Sequence, residues 1–232
     1  MKIQIWSDFS CPFCYIGKHH LKQALVSFAE KESVEIVLRS FQLDPSAPKL
    51  KQKDIYTHLS EKYDMSIPEA NEMTANIAQQ AKQTGLDFHF EKLIPTNTFD
   101  AHRLLHYAAE QGVMEATSEA LFKGMFTDGL NLADIDTLIN LANEVGLEPS
   151  EVKAVLNSDR YADSVRADES FARQLKITSV PFFVFDNKYA VSGAQPANVF
   201  SDILVKVQEE KARLIQLDNA SQGPSCSDDI CY

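Results

Sequence analysis

The sequence predicts an α/β protein in which a mixed central sheet with flanking helices is interrupted by an α-helical insertion. Three observations carry this prediction. Residues 2–41 follow the order strand, helix, strand. The stretch from about 52 to 160 has many helix signals and little strand pattern. Strand character returns at 182–192 as a hairpin, and a last helix follows it.

The opening elements follow from the spacing of apolar residues. Residues 2–7 alternate with a period of two, which indicates a strand. Residues 12–30 carry apolar side chains at helical spacing. Residues 34–41 are rich in β-branched and aromatic residues and predict a second strand. This order favours a parallel strand pair joined by a right-handed crossover.

Capping residues mark helices in the middle of the chain. Ser66 followed by Pro68 suits the start of one helix. Asn97 is a good N-cap for a second helix, and Asp134 opens a third. Each of these helices runs towards a glycine, the residue that most often ends a helix. The three glycines are Gly85, Gly112 and Gly146.

The C-terminal part reads as a hairpin, a helix and a tail. Residues 182–185 and 189–192 predict antiparallel strands, because Asp186-Asn187 between them is typical of a tight turn. Pro196 is expected to start the final helix. After about Asp218 the residues become small and polar, so we expect a mobile tail.

Composition excludes several classes of function. The chain has 232 residues, of which 44% are hydrophobic and 24% charged, as in ordinary globular proteins. Its 22 basic and 33 acidic residues give a net charge of −11. An acidic surface repels phosphate backbones, so we expect no nucleic-acid partner. The longest apolar runs are far shorter than the roughly 20 residues of a membrane span, so we expect no membrane partner.

The N-terminus and the cysteines bear on the compartment. Met1-Lys2 leads directly into strand pattern, without the apolar stretch of a secretory signal, so we expect a cytoplasmic protein. The 4 cysteines form two close pairs, Cys11/Cys14 and Cys226/Cys231. In a reducing compartment, such pairs more often mean redox chemistry or metal binding than structural cross-links.

The strongest chemical signal is Ser10-Cys11-Pro12-Phe13-Cys14, placed between a strand and the opening of a helix. The first turn of a helix has unpaired N–H groups and the positive end of the macrodipole, which favour a thiolate. Pro12 suits the first helical position. We therefore expect Cys11 to be the attacking nucleophile. Cys14, one turn later, can resolve a mixed disulfide by attacking the Cys11 sulfur.

A zinc site is the alternative interpretation, because a C-x-x-C pair is a common half-site for zinc. The other cysteines, however, lie more than 200 residues away. Redox chemistry is favoured over metal binding, and we expect no metal site.

Three stretches give the sequence a specific resemblance. It resembles the DsbA family of the thioredoxin superfamily, and in particular its FrnE-like cytosolic branch, over residues 5–17, 97–104 and 177–185. The resemblance implies a thioredoxin fold interrupted by a helical insertion, and thiol–disulfide oxidoreduction as the activity. The implied thioredoxin-like domain comprises residues 1–48 and 161–217. The helical insertion spans 49–160, and a flexible tail with the second cysteine pair spans 218–232.

The resemblance also implies roles for residues around the cysteines. It implies that the Val180–Pro181 peptide bond is cis and that Pro181 packs beside the two cysteines. The backbone of Val180 would then present an edge with which an extended substrate peptide can pair. Some DsbA proteins have a histidine where Phe13 stands. Without that hydrogen-bond donor the reduced state is less stabilised, so we expect a less oxidising site than in those proteins.

The second cysteine pair and Asn97 each have a functional and a non-functional interpretation. Cys226 and Cys231 would form an auxiliary redox pair, as FrnE-like proteins sometimes have, or are two exposed cysteines without a role, or an adventitious metal site. Asn97 would lie near the active site and contribute to substrate binding, or only cap its helix.

Two side-chain clusters are ambiguous in the same way. His102 and His106 have a spacing that can bind zinc, but a surface or packing role is favoured. A group of apolar residues fits the spacing of a helical core and could instead line a groove for a peptide or small molecule. Its members are Met114, Leu121, Phe122, Met125 and Phe126.

Three functions compete at this point. The favoured one is a protein disulfide oxidoreductase without a bound cofactor, with thiols or disulfides of proteins or small molecules as partners, acting as a monomer or homodimer. A glutathione-dependent isomerase or transferase, of the 2-hydroxychromene-2-carboxylate isomerase or kappa type, is the second; such relatives typically have serine where Cys11 stands. Glutathione would be a co-substrate. A non-enzymatic redox sensor or zinc-binding protein is the third.

Overall fold

The structure is a computed structural model that describes residues 1–49, 53–220, 226–227 and 230–231. Its first elements agree with the predicted order of strand, helix and strand. They are β1 (Lys2–Ser7), α1 (Pro12–Val26), a 3-10 turn (Lys31–Ser33) and β2 (Glu35–Ser40). The predicted helix over 12–30 is too long. It ends at its C-cap Ser27, and Phe28 continued the apolar period only because it packs into the core from the following turn.

Helices fill the described chain between the second and third strands. Their bounds are α2 (Ile55–Tyr63), α3 (Ile67–Gln83), α4 (Phe99–Glu110), α5 (Met114–Phe126), α6 (Ile135–Glu144), α7 (Pro149–Leu156) and α8 (Ala162–Gln174). Ser66 caps α3 in a capping box with Glu69, and the Asp134 carboxylate caps α6 through the Thr137 amide. These two helix starts are confirmed.

The predicted N-cap at Asn97 is wrong by one residue. The N-cap of α4 is Thr98, and the helix begins at Phe99. The reason is that Asn97 forms a turn of its own before the helix, in which its side-chain oxygen accepts a hydrogen bond from the Phe99 amide at 2.9 Å. Its backbone N–H is directed instead to the Pro48 carbonyl, at 3.1 Å.

The C-terminal elements are β3 (Phe182–Phe185), β4 (Tyr189–Ser192), α9 (Ala197–Ala220), β5 (Cys226–Ser227) and β6 (Ile230–Cys231). Asp186 and Asn187 both have positive φ, as the two central residues of a type I′ turn require. With Lys188 they form a three-residue connection between Phe185 and Tyr189. α9 starts one residue after Pro196 and runs past Asp218, so the chain stays helical beyond the predicted start of the tail. The expectation of a mobile tail falls largely on residues outside the described ones.

The main sheet is mixed, with strand order β2-β1-β3-β4. β1 pairs with β2 in parallel, and the remaining neighbours are antiparallel. α1 and α9 cover one face, where Phe183 packs edge-on against Phe200. α8 lies against β2 on the other face, where Trp6 contacts Ala172 and Ile177. This mixed sheet with helices on both faces confirms the predicted fold class, and the first cysteine pair follows the end of its central strand β1.

Candidate active site around Cys11 and Cys14

A tight turn carries the chain from β1 into α1 and places the first cysteine at the helix start. The Cys11 amide donates to the Asp8 carbonyl at 3.1 Å, and the Cys14 amide donates to the Cys11 carbonyl at 3.1 Å. Cys11 is the N-cap of α1, with extended backbone angles, and Pro12 is the first helical residue. The Cys11 sulfur therefore lies at the positive end of the helix dipole.

The loop before β3 lies directly against Cys11. The Val180–Pro181 bond is cis, and the Cys11 sulfur lies 3.6 Å from the Val180 carbonyl oxygen. α1 approaches this loop closely because Gly17 has no side chain: a Cβ there would lie 3.1 Å from Cγ of Pro181. The Val180 backbone is thus a neighbour of Cys11, and Pro181 packs against α1 at Gly17.

Cys14 lies deeper than Cys11, and its environment disfavours its thiolate. It is 1% exposed, against 5% for Cys11. Burial raises the pKa of the Cys14 thiol well above its usual range, and the adjacent Cys11 sulfur adds to this rise. Hydrogen bonds from the Ser7 side chain and the Asp8 backbone act in the opposite direction. The pair thus combines an outer sulfur with an inner thiol that stays protonated at neutral pH.

A buried carboxylate, Asp8, organises the turn that carries Cys11. One oxygen accepts from the Ser10 hydroxyl at 2.7 Å and the Leu43 amide at 2.7 Å. The other accepts from the Thr98 hydroxyl at 2.8 Å, and Nε2 of His102 lies 3.5 Å from it. Asp8 thereby joins the cysteine turn to the chain after β2 and to the start of α4.

The ionised form of Asp8 is favoured in this setting. Burial by itself raises the pKa of the carboxyl, but His102 and the donors from Leu43 and Ser10 outweigh it and hold the pKa below its usual range. A buried negative charge therefore lies three residues before Cys11. Sequence reasoning missed this role, although Asp8 two residues before a serine after a strand is a pattern typical of an Asx turn.

An apolar pocket opens beside Cys11 between the start of α1 and the helices α2, α3 and α5. Its volume is about 240 Å³. Cys11 and Phe13 form one wall, and α2 contributes Ile55 and Leu59. The remaining walls come from the 43–48 segment, from α3, from the 90–98 segment and from the end of α5. Of the ambiguous apolar group, Leu121, Phe122, Met125 and Phe126 are all buried in the core. Met125 and Phe126 also line this pocket.

Comparison with known proteins identifies the family. Residues 2–205 match the DSBA-like thioredoxin domain. The chain belongs to this family. A probable DsbA oxidoreductase from Streptomyces coelicolor is 40% identical, with a TM-score of 0.86, over 100% of this chain and 98% of that one.

The chain has two more distant similarities. YwbO of Bacillus subtilis (strain 168) is 29% identical over 212 residues, which are 90% of this chain and 98% of YwbO. The structure of the cytosolic disulfide reductase DsbM from Pseudomonas aeruginosa, with GSH, has a TM-score of 0.62 at 13% identity, covering 92% of this chain and 100% of DsbM. At this identity, the similarity to DsbM shows a shared fold and nothing more.

Three further residues that the sequence analysis singled out, Asn97, His102 and His106, each have their own partners in the structure. The Asn97 amide donates to the Pro45 carbonyl at 3.1 Å, and its oxygen accepts from Phe99, so its side chain is engaged within the protein. His102 is buried beside Asp8, whereas His106 contacts Asp168 at 3.3 Å. The two histidines thus lie next to different carboxylates.

The second cysteine pair is described only by its backbone. β5 and β6 form an antiparallel ladder that places Cys226 opposite Cys231. The auxiliary redox role of this pair stays a prediction.

Neither a cluster of metal ligands nor a membrane-spanning helix occurs among the described residues. No group of three or more histidine, cysteine, aspartate or glutamate side chains is arranged to hold a metal ion there. No helix in that part of the chain is long and apolar enough to cross a bilayer.

Proposed function

We propose that this DsbA-like protein exchanges thiols and disulfides of proteins or small molecules through Cys11 and Cys14. The observation that carries the proposal is the arrangement of the two sulfurs. Cys11 lies at the start of α1 against the Val180 carbonyl, 3.6 Å away, while Cys14 is buried behind it with a raised pKa. An outer nucleophile and a protonated inner thiol are what a two-step exchange requires.

In the reducing direction, the Cys11 thiolate attacks one sulfur of a substrate disulfide. A Cys11–substrate disulfide forms, and the other substrate sulfur leaves as a thiolate that takes up a proton. Cys14 then loses its proton and attacks the Cys11 sulfur, releasing the second substrate thiol. The substrate has gained two electrons and two protons, and the protein holds a Cys11–Cys14 disulfide. The same steps in reverse oxidise a substrate dithiol.

No bound cofactor takes part in this scheme, because the cysteine pair itself carries the electrons. A second thiol couple must restore the starting state, and we propose glutathione as this co-substrate. Two adjacent cysteines favour this exchange over the isomerase or transferase alternative, since that chemistry does not use a resolving thiol.

Insulin reduction and the refolding of a reduced, scrambled protein test the proposal. We expect Cys11→Ser to abolish both activities. Cys14→Ser should instead accumulate mixed disulfides with substrate, visible on non-reducing gels, because resolution is blocked. If Cys11→Ser keeps the wild-type rates, the proposed mechanism is wrong.

Alkylation of the reduced protein tests the difference between the two sulfurs. With iodoacetamide between pH 6 and 8, peptide mapping should show Cys14 labelled at least about tenfold more slowly than Cys11, because burial keeps Cys14 protonated. Equal labelling rates would contradict the assignment of nucleophile and resolving thiol.

The auxiliary pair has its own test. If Cys226 and Cys231 exchange with the first pair, the Cys226→Ser/Cys231→Ser double variant should lose turnover with at least one class of substrate. Full turnover with protein and small-molecule disulfides alike would remove this role.

A further inference from the structure

The side chain of His102 on α4 is buried next to the carboxylate of Asp8. The residue is 1% exposed, and its ring is tilted against that of Phe9, with 4.9 Å between the centroids. Its Nε2 lies 3.5 Å from Oδ1 of Asp8. Neither ring nitrogen has a hydrogen-bond partner in the part of the chain that the structure describes. An imidazole in this position stabilises Asp8 through charge rather than through a hydrogen bond.

The carboxylate of Asp8 depends on His102 for a counter-charge. Among the described residues, His102 alone forms an ionic contact with it. The Asp8 carboxylate also accepts hydrogen bonds from the Ser10 hydroxyl, the Leu43 amide and the Thr98 hydroxyl, but these donors leave its net charge unchanged. A buried charge without a partner is costly. One positive charge on the imidazole makes the pair neutral.

A second carboxyl group, that of Glu169 on α8, also lies within reach of the charge of His102. Burial raises the pKa of this carboxyl group. His102, Arg173 and Arg166 act in the opposite direction but do not outweigh burial. Burial also opposes the ionisation of Asp8, but there His102 and the hydrogen bonds outweigh it and lower the pKa. The anionic partner of His102 is therefore Asp8.

The charge on Asp8 is close to the reacting sulfur. Its carboxylate accepts from the hydroxyls of Ser10 and Thr98 at 2.7 and 2.8 Å, and both of these residues lie with Cys11 in the wall of one pocket. The Asp8 carbonyl accepts from the Cys11 amide at 3.1 Å. The reduced pair reacts as the Cys11 thiolate. An uncompensated negative charge beside that thiolate therefore disfavours the reduced protein and favours the disulfide.

We propose that His102 is a positioning residue of the exchange reaction, whose positive charge neutralises Asp8 and so permits a stable thiolate at Cys11. His102 acts through Asp8 rather than on the sulfurs directly. This inference rests on the proposed thiol–disulfide exchange and adds a residue that sets its equilibrium.

Equilibration with glutathione tests the proposal. The reduced protein and one glutathione disulfide give the oxidised protein and two molecules of glutathione. The equilibrium constant is measured at pH 7 by acid quenching, alkylation of the remaining thiols and mass spectrometry. We expect His102→Gln to shift this constant towards the oxidised protein by at least about fivefold, because a unit charge near the thiolate is left without compensation.

Two further variants separate charge from packing. His106→Gln is the matched control, because His106 lies one turn further along α4 and next to Asp168 instead; its constant should stay within about twofold of wild type. In an Asp8→Asn background there is no anion to neutralise, so His102→Gln should change the constant by less than about twofold. Equal effects of His102→Gln in both backgrounds would mean that His102 acts through packing, and would overturn the proposal.

Nitrogen NMR of the reduced wild-type protein tests the charge without a substitution, and stays decisive if His102→Gln does not fold. At pH 7 both ring nitrogens of His102 should have the similar chemical shifts of a protonated imidazolium. A neutral ring, in which the nitrogen without a proton is shifted far from the other, would overturn the proposal.

The outcomes separate this inference from the proposed function. If the wild-type pair equilibrates with glutathione and His102→Gln leaves the constant unchanged, or shifts it towards the reduced protein, the role of His102 is overturned and the exchange mechanism stands. A wild-type protein that exchanges with neither glutathione disulfide nor a protein disulfide would overturn both proposals.

Discussion

The hydroxyl of Thr98 donates to the buried carboxylate of Asp8 across 2.8 Å. This contact joins the N-cap of α4 to the turn that carries Cys11, although 90 residues separate the two in sequence. Because Asp8 also accepts from the Leu43 amide, a single charge positions three segments around the cysteine pair.

Asp8→Asn should destabilise the fold. The amide replaces one accepting oxygen by a donor, so at least one buried donor loses its partner. We expect the free energy of unfolding in urea to fall by about 2 kcal/mol. Thr98→Val, which removes one donor only, should cost about 1 kcal/mol. Glu144→Gln, on the surface of α6, is the control and should stay within about 0.5 kcal/mol of wild type; an equal effect of all three would contradict the role of Asp8.

The difference in the free energy of unfolding between wild type and Asp8→Asn should depend on pH. The direction of the Asp8 pKa shift predicts how. His102 and the hydrogen bonds outweigh burial and lower the pKa of Asp8 in the folded state. Below the ordinary aspartate value near 3.8, the unfolded chain therefore binds more protons than the folded one, and acid removes the stabilisation. The gap between wild type and Asp8→Asn should be constant from pH 5 to 7 and shrink below about pH 4. A gap that is undiminished between pH 5 and pH 2.5 would be inconsistent with a lowered pKa of Asp8.

Tyr15→Phe tests a contact between α1 and α5. The Tyr15 hydroxyl donates to Glu119 at 2.6 Å, and burial, with Glu119 adding to it, raises the pKa of this hydroxyl, so it stays protonated. Phenylalanine keeps the stacking on Phe122 but removes the donor. We expect a loss of about 1–2 kcal/mol in the free energy of unfolding, whereas Tyr63→Phe, at an exposed ring, should change it little. A thermal or urea series on the two variants decides this.

Gly17→Ala tests the close approach of α1 to the loop before β3. Alanine favours a helix over glycine by up to about 1 kcal/mol, but its Cβ would lie 3.1 Å from Pro181, 3.2 Å from Phe183 and 3.2 Å from the Cα of Ala194. We expect this crowding to prevail and the protein to lose about 1 kcal/mol. Gln23→Ala at an exposed position of the same helix should be neutral. A stabilised Gly17→Ala variant would mean that the loop can move away freely.

Phe13→His tests the effect of the residue between the cysteines on redox potential. A histidine there adds a donor that stabilises the Cys11 thiolate of the reduced state, so the variant should be more oxidising. We expect a positive shift of about 30 mV or more, with the wild type well below the roughly −120 mV of DsbA. Equilibration in glutathione buffers measures both values, with Phe13→Leu as the control without a donor. A wild-type value near −120 mV would contradict the expectation.

Local signals were sufficient for much of this fold. Strand alternation, the capping residues Ser66 and Asp134, and the turn at Asp186-Asn187 act within a few residues, so the sequence alone predicts the elements they produce. The placement of Cys11 and Cys14 at a helix start is local in the same sense. The start of α4 was missed by one residue because Asn97 was free to bond outside its helix, to the segment after β2.

The amino-acid sequence alone was sufficient to predict the opening strand, helix and strand, the helical middle, the closing hairpin and helix, the mixed α/β class and the position of the cysteine pair at the N-terminus of α1. The buried position of Asp8 at the junction of three segments, and the place of Met125 and Phe126 in the wall of a pocket beside Cys11, became visible in the folded structure. The physical reason is that these properties depend on contacts between distant segments. The donors to a buried carboxylate come from other segments, and the same is true of the walls of a cavity beside an apolar side chain. Both are therefore defined only after those segments have come together.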